Sequence, residues 1–342
     1  VFLCLKSVCM ARVRNWKVLY EGIVAGDRVK MGMAFSLIES NKPGDKKEAN
    51  RLINACVRAK TKRSLRIGVT GSPGVGKSSV IEKLGLEAIE RRHKVAVLAV
   101  DPSSSISGGS ILGDKTRMLE LSSSPRAFIR PSAAGKTLGG VSRATREAIA
   151  ICEAAGYDLI LVETVGVGQS EISVYNMTDM FVFLVLPGAG DELQGIKRGI
   201  VEMADLVVVN KADGERGNLA DQSAKDYRNA LHLLAAKTSG WRARVLKHSI
   251  EQKDTTTALL DKIAEFWSFI EEREIQQKRR GQQQMTWFEE LLKSSLLEKV
   301  NALLSGEELK LEELKSEVYR SEISPGTAVD QLIEKIELKI AK

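Results

Sequence analysis

The residues Gly71-Ser72-Pro73-Gly74-Val75-Gly76-Lys77-Ser78 fit the spacing G-x-x-x-x-G-K-[ST]. Residues of these types at this spacing can hold a polyphosphate. The glycines let backbone N–H groups turn inward around the charge, and a helix starting at the loop points its positive dipole end at the same place. Lys77 would then reach the β- and γ-phosphates and Ser78 would place its hydroxyl on Mg2+, with Gly71, Gly74, Val75, Gly76 and Ser79 completing the cradle. The plain alternative is a glycine-rich turn that binds nothing. The strand-like Arg66–Val69 before the loop and the helix-like Ser79–Glu90 after it argue against that alternative.

A second group, Asn210-Lys211-Ala212-Asp213, follows the strand-like Leu206–Val209, where a purine would be read at the end of a sheet strand. Asp213 can accept from the ring N–H and the exocyclic amine of guanine. Adenine lacks that amine and presents a lone pair at N1, so pairing selects guanine and repulsion rejects adenine. Asn210 is expected at the base edge or bracing the loops, with the Lys211 stem over the ring. Three acids supply candidate metal ligands: Asp101 ends Val95–Val100, Glu163 ends Leu159–Val162, and Asp114 lies in the Gly-Ser-rich loop between them. Mg2+ takes oxygen ligands in an octahedron and usually only one or two carboxylates directly, so some of the three must hold its waters instead. A carboxylate at a strand end also serves as a helix cap. Glu163-Thr164-Val165-Gly166 has the spacing of the phosphate-sensing D-x-x-G loop, with Glu in the Asp position and Gly166 able to offer its N–H to a γ-phosphate. Val167 follows, not the glutamine that orients attacking water in Ras-like enzymes, so unaided hydrolysis is expected to be slow.

Such residues work only if strand ends and helix starts converge on one edge of a sheet. Short aliphatic runs at Ile67–Val69, Val95–Val100, Leu159–Val162, Met180–Leu186 and Leu206–Val209 are bounded by Gly, Pro or Asp and separated by segments of helical periodicity. That alternation predicts an α/β fold, a P-loop NTPase with a mostly parallel sheet flanked by helices. Before it, Met10 to Arg63 reads as helical, with a turn at Asn41-Lys42-Pro43-Gly44. After Trp267 the chain becomes charged and glutamine-rich, and Phe288, Leu292, Leu296, Val300 and Leu304 then recur every four residues along one helical face. The stripe is either intramolecular packing or a dimer contact. The expected organisation is an N-terminal helical extension over 1–63, a P-loop domain over 64–270, and a helical linker and C-terminal arm over 271–342.

The chain has 342 residues, 43% of them hydrophobic and 28% charged, the composition of a globular protein with a sizeable core. With 51 Lys plus Arg against 44 Asp plus Glu, the net charge of +7 is spread along the chain, and no basic tail for nucleic acid is evident. No apolar run approaches the roughly 18 residues of a membrane helix. Cys4, Cys9, Cys56 and Cys152 lack metal-site or disulfide-framework spacing, which points to a reducing compartment. The opening VFLCLKSVC is too short and poorly flanked for a secretory signal, and Met10 is the expected start of translation.

The P-loop together with Val100-Asp101-Pro102-Ser103-Ser104, Gly108–Met118, Glu163–Glu171, Pro187–Lys197 and Asn210–Asp213, all in this order, closely resembles the MeaB/ArgK/MMAA family. These are GTPase chaperones of adenosylcobalamin-dependent methylmalonyl-CoA mutase and related acyl-CoA mutases. The resemblance runs from about Gly22 to the Ser324-Pro325 region. It implies GTP/GDP and Mg2+ as ligands, with Lys77 and Ser78 on phosphate and metal, and Asp101, Asp114 and Glu163 in the metal and switch machinery. It makes Gly188–Lys197 an additional switch loop coupling nucleotide state to the mutase, and from that loop Lys197 is expected to help complete the catalytic site with Lys77, Glu163 and Gly166. It also implies a homodimer formed through the C-terminal helices, a role in gating cofactor loading and ejecting damaged cofactor, and a cytoplasmic location, or the mitochondrial matrix in a eukaryote. An older label of the family is a kinase of lysine/arginine/ornithine transport. The chain departs from the family in its last guanine loop, where Ser-Ala and a glycine-containing stretch give way to His248-Ser249-Ile250-Glu251-Gln252-Lys253-Asp254. Ser249 retains a backbone N–H for the base. A nickel-delivery GTPase would be expected to carry a His or Cys tract, and this chain has 3 His and 4 scattered Cys. A small-molecule kinase needs a general base that no motif supplies, and a GTP-binding scaffold would bind without hydrolysing.

Overall fold

Leu159–Thr164, Met180–Val185 and Leu206–Asn210 are buried at every residue, a pattern that requires a sheet covered on both faces. The structure is a computed structural model and describes residues 15–40, 42–59, 63–100, 118–130, 138–164, 169–188, 198–304 and 311–340. Its strands are β1 (Leu65–Gly71), β2 (Val95–Val100), β3 (Ala127–Arg130), β4 (Leu159–Thr164), β5 (Met180–Val185), β6 (Leu206–Asn210) and β7 (Arg244–His248). They form one sheet in the order β3-β2-β4-β1-β5-β6-β7, and every pairing is parallel.

Alternation along each strand assigns its side chains to two faces. Val95 and Val97, Leu159 and Leu161, and Leu206 and Val208 join the core beneath Lys77–Glu90 and Lys253–Glu272, which contribute Ile81, Leu84, Ile263 and Phe266. The intervening residues Ala96, Leu98, Ile160 and Val162 face the other way. There they meet Leu19, Ile23, Met31, Phe35 and Leu52 of three N-terminal helices, α1 (Trp16–Val24), α2 (Arg28–Ile38) and α3 (Pro43–Arg58). A third cluster packs Phe183, Val185, Val207 and Val209 against Ala220, Ala224 and Tyr227. The helical prefix thus shares a core with the sheet. Its breaks are written locally: Asp27 accepts from the N–H groups of Val29 and Lys30 to cap α2, a bond worth about 1 kcal/mol, and Pro43 occupies the first turn of α3.

After β1 the helices run in chain order as α4 (Lys77–Glu90), α5 (Leu119–Ser123), α6 (Leu138–Ala154), α7 (Gln169–Tyr175), α8 (Arg198–Met203), α9 (Gly217–His232), α10 (Lys253–Glu272), α11 (Ile275–Leu304), α12 (Leu311–Tyr319) and α13 (Pro325–Ile340). The chain divides into two compact units, Val1–Gln277 and Lys278–Lys342. Within the second, α12 and α13 pack on each other, and on α11 Phe288, Leu292 and Leu296 are 59%, 48% and 54% exposed.

The sheet contains two strands beyond the five expected, β3 and β7, and both lie at its edges. A strand with one neighbour buries less, so it need not be apolar: β7 reads Arg-Val-Leu-Lys-His and buries only Val245 and His248.

Candidate nucleotide-binding site

Gly71 closes β1 and the loop runs to Gly76, which caps α4 in the left-handed region at φ +93°. A Cβ built on Gly76 would sit 2.9 Å from Asn210 Nδ2, so this residue must be glycine both for its backbone and for the space. Val75 is fully buried and anchors the loop in the core. Lys77 is 8% exposed, and its ammonium donates to the carbonyls of Gly71 (2.8 Å) and Ser72 (3.3 Å). The N–H groups of Lys77, Ser78 and Ser79 belong to the first helical turn, where no carbonyl four residues back is available within the helix. The loop therefore combines a cation with helix-start amides that have no partner within the helix.

Ser78 Oγ donates to Glu163 Oε1 at 2.9 Å. Register places Glu163 beside Val69 of β1 and Ala99 of β2, and a buried hydrogen bond between Thr164 Oγ1 and Thr70 Oγ1 (2.9 Å) ties β4 to β1 there. A hydroxyl and a carboxylate side by side at the start of α4 are hard oxygen donors of the kind Mg2+ accepts. Among the described residues no group of three or more His, Cys, Asp or Glu side chains is placed to hold a metal. Asp101, Asp114, Gly166 and Lys197 lie outside the described residues.

Asn210, 1% exposed at the end of β6, donates from Nδ2 to Val75 O at 2.7 Å. Lys211, with φ +59°, donates from Nζ to Gly74 O at 2.9 Å. Both contacts reach the P-loop across more than 130 residues of sequence, so the structure brings together two motifs that the sequence keeps far apart. Asp213 follows on the same segment, half-buried, ahead of the helical turn Gly214–Arg216, to which its side chain makes no capping bond. Ser249, fully buried after β7, directs its N–H to Thr255 Oγ1 (3.1 Å), and Thr255 Oγ1 returns a bond to Ser249 O (2.9 Å).

Sequence reasoning named His248 only as part of a divergent loop, without a role, and missed Thr256. His248 is fully buried beside Asn210, with Nδ1 2.8 Å from Asn210 Oδ1 and Nε2 3.0 Å from Thr256 Oγ1. Burial pushes its pKa down to about 4, so the ring is neutral at physiological pH. Burial also pushes the Cys56 thiol up to about 12, which makes it a packing residue and not a nucleophile. A cavity of about 1000 Å3 lies elsewhere, lined by Asp205, Arg228, Trp241 and Arg244 at the N-terminal ends of β6 and β7. In open parallel sheets ligands sit at the carboxyl ends of the strands, where the P-loop and Asn210 are found.

Site and sheet together define a P-loop nucleotide-binding protein. The family model described as methylmalonyl-CoA mutase-associated GTPase MeaB matches residues 31–305, and the chain belongs to that family of GTPases. A protein of Mycobacterium tuberculosis named as a probable GTPase is 44% identical over 316 residues, covering 92% of this chain and 94% of its own length. A mitochondrial protein of Mus musculus named as a methylmalonic aciduria type A homolog is 43% identical over 327 residues, covering 92% and 78%. Among solved structures, one described as an LAO/AO transport system kinase superposes with a TM-score of 0.74 at 34% identity, covering 94% of this chain and 98% of its own.

Proposed function

We propose that this chain is a Mg2+-dependent GTPase chaperone that gates adenosylcobalamin loading onto methylmalonyl-CoA mutase or a related acyl-CoA mutase, and that protects or reactivates that enzyme. The observation that carries the nucleotide part is the pair of contacts from Asn210 and Lys211 to the carbonyls of Val75 and Gly74. They fix a base-reading segment at a set distance from a phosphate-binding loop. The mutase part rests on family membership and on the name of the mouse relative. In this reading the amides of Gly74–Ser79 hold the phosphates, and Lys77 exchanges the Gly71 and Ser72 carbonyls for β- and γ-phosphate oxygens. Ser78 holds Mg2+, with Glu163, Asp101 and Asp114 binding it or its waters, and Gly166 donates its N–H to the γ-phosphate. The metal supplies charge neutralisation on the phosphate oxygens when bound. Asp213 reads guanine, with Asn210 bracing the loops; the Ser249 N–H, bonded to Thr255 Oγ1, reaches the base only by exchanging that partner.

Lys197, which follows β5, supplies the remaining stabilisation once a mutase is bound. Lys197→Ala is then expected to leave GDP affinity and the slow basal rate nearly intact and to abolish partner-stimulated hydrolysis. The decisive measurement is GTP turnover of both proteins with and without a saturating purified adenosylcobalamin-dependent mutase. Absence of stimulation in the unmodified chain removes the mutase assignment, and full stimulation in the variant removes Lys197 from the coupling. The name carried by the solved relative supports a second reading, a kinase; transfer of labelled phosphate from nucleotide to an amino-acid or protein acceptor would establish it.

Exposed Phe288, Leu292 and Leu296, spaced four residues apart on α11, support a homodimer, because an exposed apolar row favours a partner surface. Truncation after Gln284 is expected to give a monomer that still binds GDP. If light scattering finds the intact chain monomeric at micromolar concentration, the stripe is not a dimer contact.

A further inference from the structure

The hydrogen bonds around His248 admit one assignment of protons. Val75 O can only accept, so the Asn210 amide nitrogen faces it, and the Asn210 carbonyl oxygen faces His248. That oxygen can only accept, so His248 Nδ1 carries the proton. The neutral ring then presents a lone pair at Nε2, and the Thr256 hydroxyl donates to it. The result is a directed chain, Thr256 to His248 to Asn210 to Val75, that starts in the first turn of α10, crosses from β7 to β6 between the paired residues Asn210 and His248, and ends in the P-loop. His248, Asn210 and Thr256 are 0%, 1% and 4% exposed, so no solvent competes for these bonds.

We propose that His248 is a positioning residue for guanine recognition: held as the Nδ1–H tautomer by Thr256, it fixes the orientation of the Asn210 amide and through it the placement of Asn210–Asp213 against the P-loop. The inference rests on the reading that this segment contacts guanine, and it adds a specificity determinant from the end of β7. Without the imidazole, Asn210 loses the donor that holds its carbonyl oxygen. Its amide can then rotate away from Val75, and the segment bearing Asp213 is no longer held at the distance set by the loop.

The test is the ratio of ADP to GDP dissociation constants, measured by titration calorimetry on the full chain. A residue that merely supports folding changes the fraction of competent protein, which alters the apparent number of sites for both nucleotides and leaves the ratio alone. His248→Ala is expected to lower the ratio about tenfold, since any loosening of the P-loop weakens ADP and GDP alike and the ratio reports the base contact alone. His248→Asn places an amide N–H near the position of Nδ1–H and is expected to recover most of the ratio. Thr256→Val, which removes the donor to Nε2, is expected to lower it by a smaller factor. A ratio in His248→Ala within twofold of the unmodified chain overturns the proposal, as does an equal loss in His248→Ala and His248→Asn. If His248→Ala does not fold, the other two variants decide: the ratio must fall in Thr256→Val and stay near the unmodified value in His248→Asn. Equal affinity of the unmodified chain for GDP and ADP is a separate failure, since it removes the guanine reading itself.

Discussion

Gly76→Ala is expected to lower GDP affinity by about 100-fold, close to 2.7 kcal/mol. An alanine at φ +93° carries about 1–2 kcal/mol of backbone strain, and its Cβ would press on Asn210 Nδ2 at 2.9 Å. The loop can relieve both by moving out of its cradle geometry, which keeps the fold and gives up the phosphate-facing amides. Part of the loss is the hydrogen bond from Asn210 to Val75 O, worth about 1 kcal/mol with a further cost for the buried amide left unpaired. Gly26→Ala serves as the control. Gly26 has φ +76° with nothing near its absent Cβ, so its replacement should lower thermal stability and leave GDP binding unchanged. Calorimetric titration of both variants checks the pair, and undiminished binding in Gly76→Ala would show that this turn does not shape the phosphate site.

Asp213→Asn is expected to weaken GDP binding by about 1–3 kcal/mol, the cost of breaking a charge-assisted, partly buried pair. The same change should strengthen xanthosine diphosphate, because the asparagine amide can donate to the carbonyl that xanthine carries where guanine has its amine. The preference between the two nucleotides should therefore shift by more than either affinity does. The structure favours a clean result, since the Asp213 side chain makes no capping bond to the turn it precedes. Competition of the two diphosphates for the unmodified and altered chains measures the shift, and an unchanged preference would sink the role of Asp213.

The phosphate loop is legible in the sequence because its chemistry is local: the glycines, Lys77 and Ser78 lie within eight residues, between a strand and a helix that declare themselves by pattern. The central strands are legible for the opposite reason, since both of their faces are buried and an unbroken aliphatic run has few other homes. What the sequence hides is register. The contact of His248 with Asn210 exists because β6 and β7 pair in one particular alignment across 38 residues, and nothing in a histidine before a serine announces that. The hold of Lys77 on the Gly71 and Ser72 carbonyls is equally hidden, because motif spacing describes the phosphate-bound arrangement. The helical prefix was visible as helix, but not its burial: Met33 and Val57 are apolar yet exposed, whereas Leu19 and Ile23 are fully buried against the rest.

The composition that concealed the outer strands also bears on how the protein behaves at high concentration. A parallel sheet of seven strands ends in two rows of backbone donors and acceptors that have no neighbour within the sheet, and such rows template pairing with other chains. Among the described residues β3 pairs only with β2 and β7 only with β6. One is four residues long and ends in Arg130, and the other carries Arg244 and Lys247, both exposed. Any chain that added itself to either margin would have to pass the ion pairs of Arg130 with Glu39 and of Lys247 with Asp221 and, at β3, would find little length to grip. The same few charged residues that kept these segments from looking like strands are thus expected to disfavour edge-to-edge aggregation.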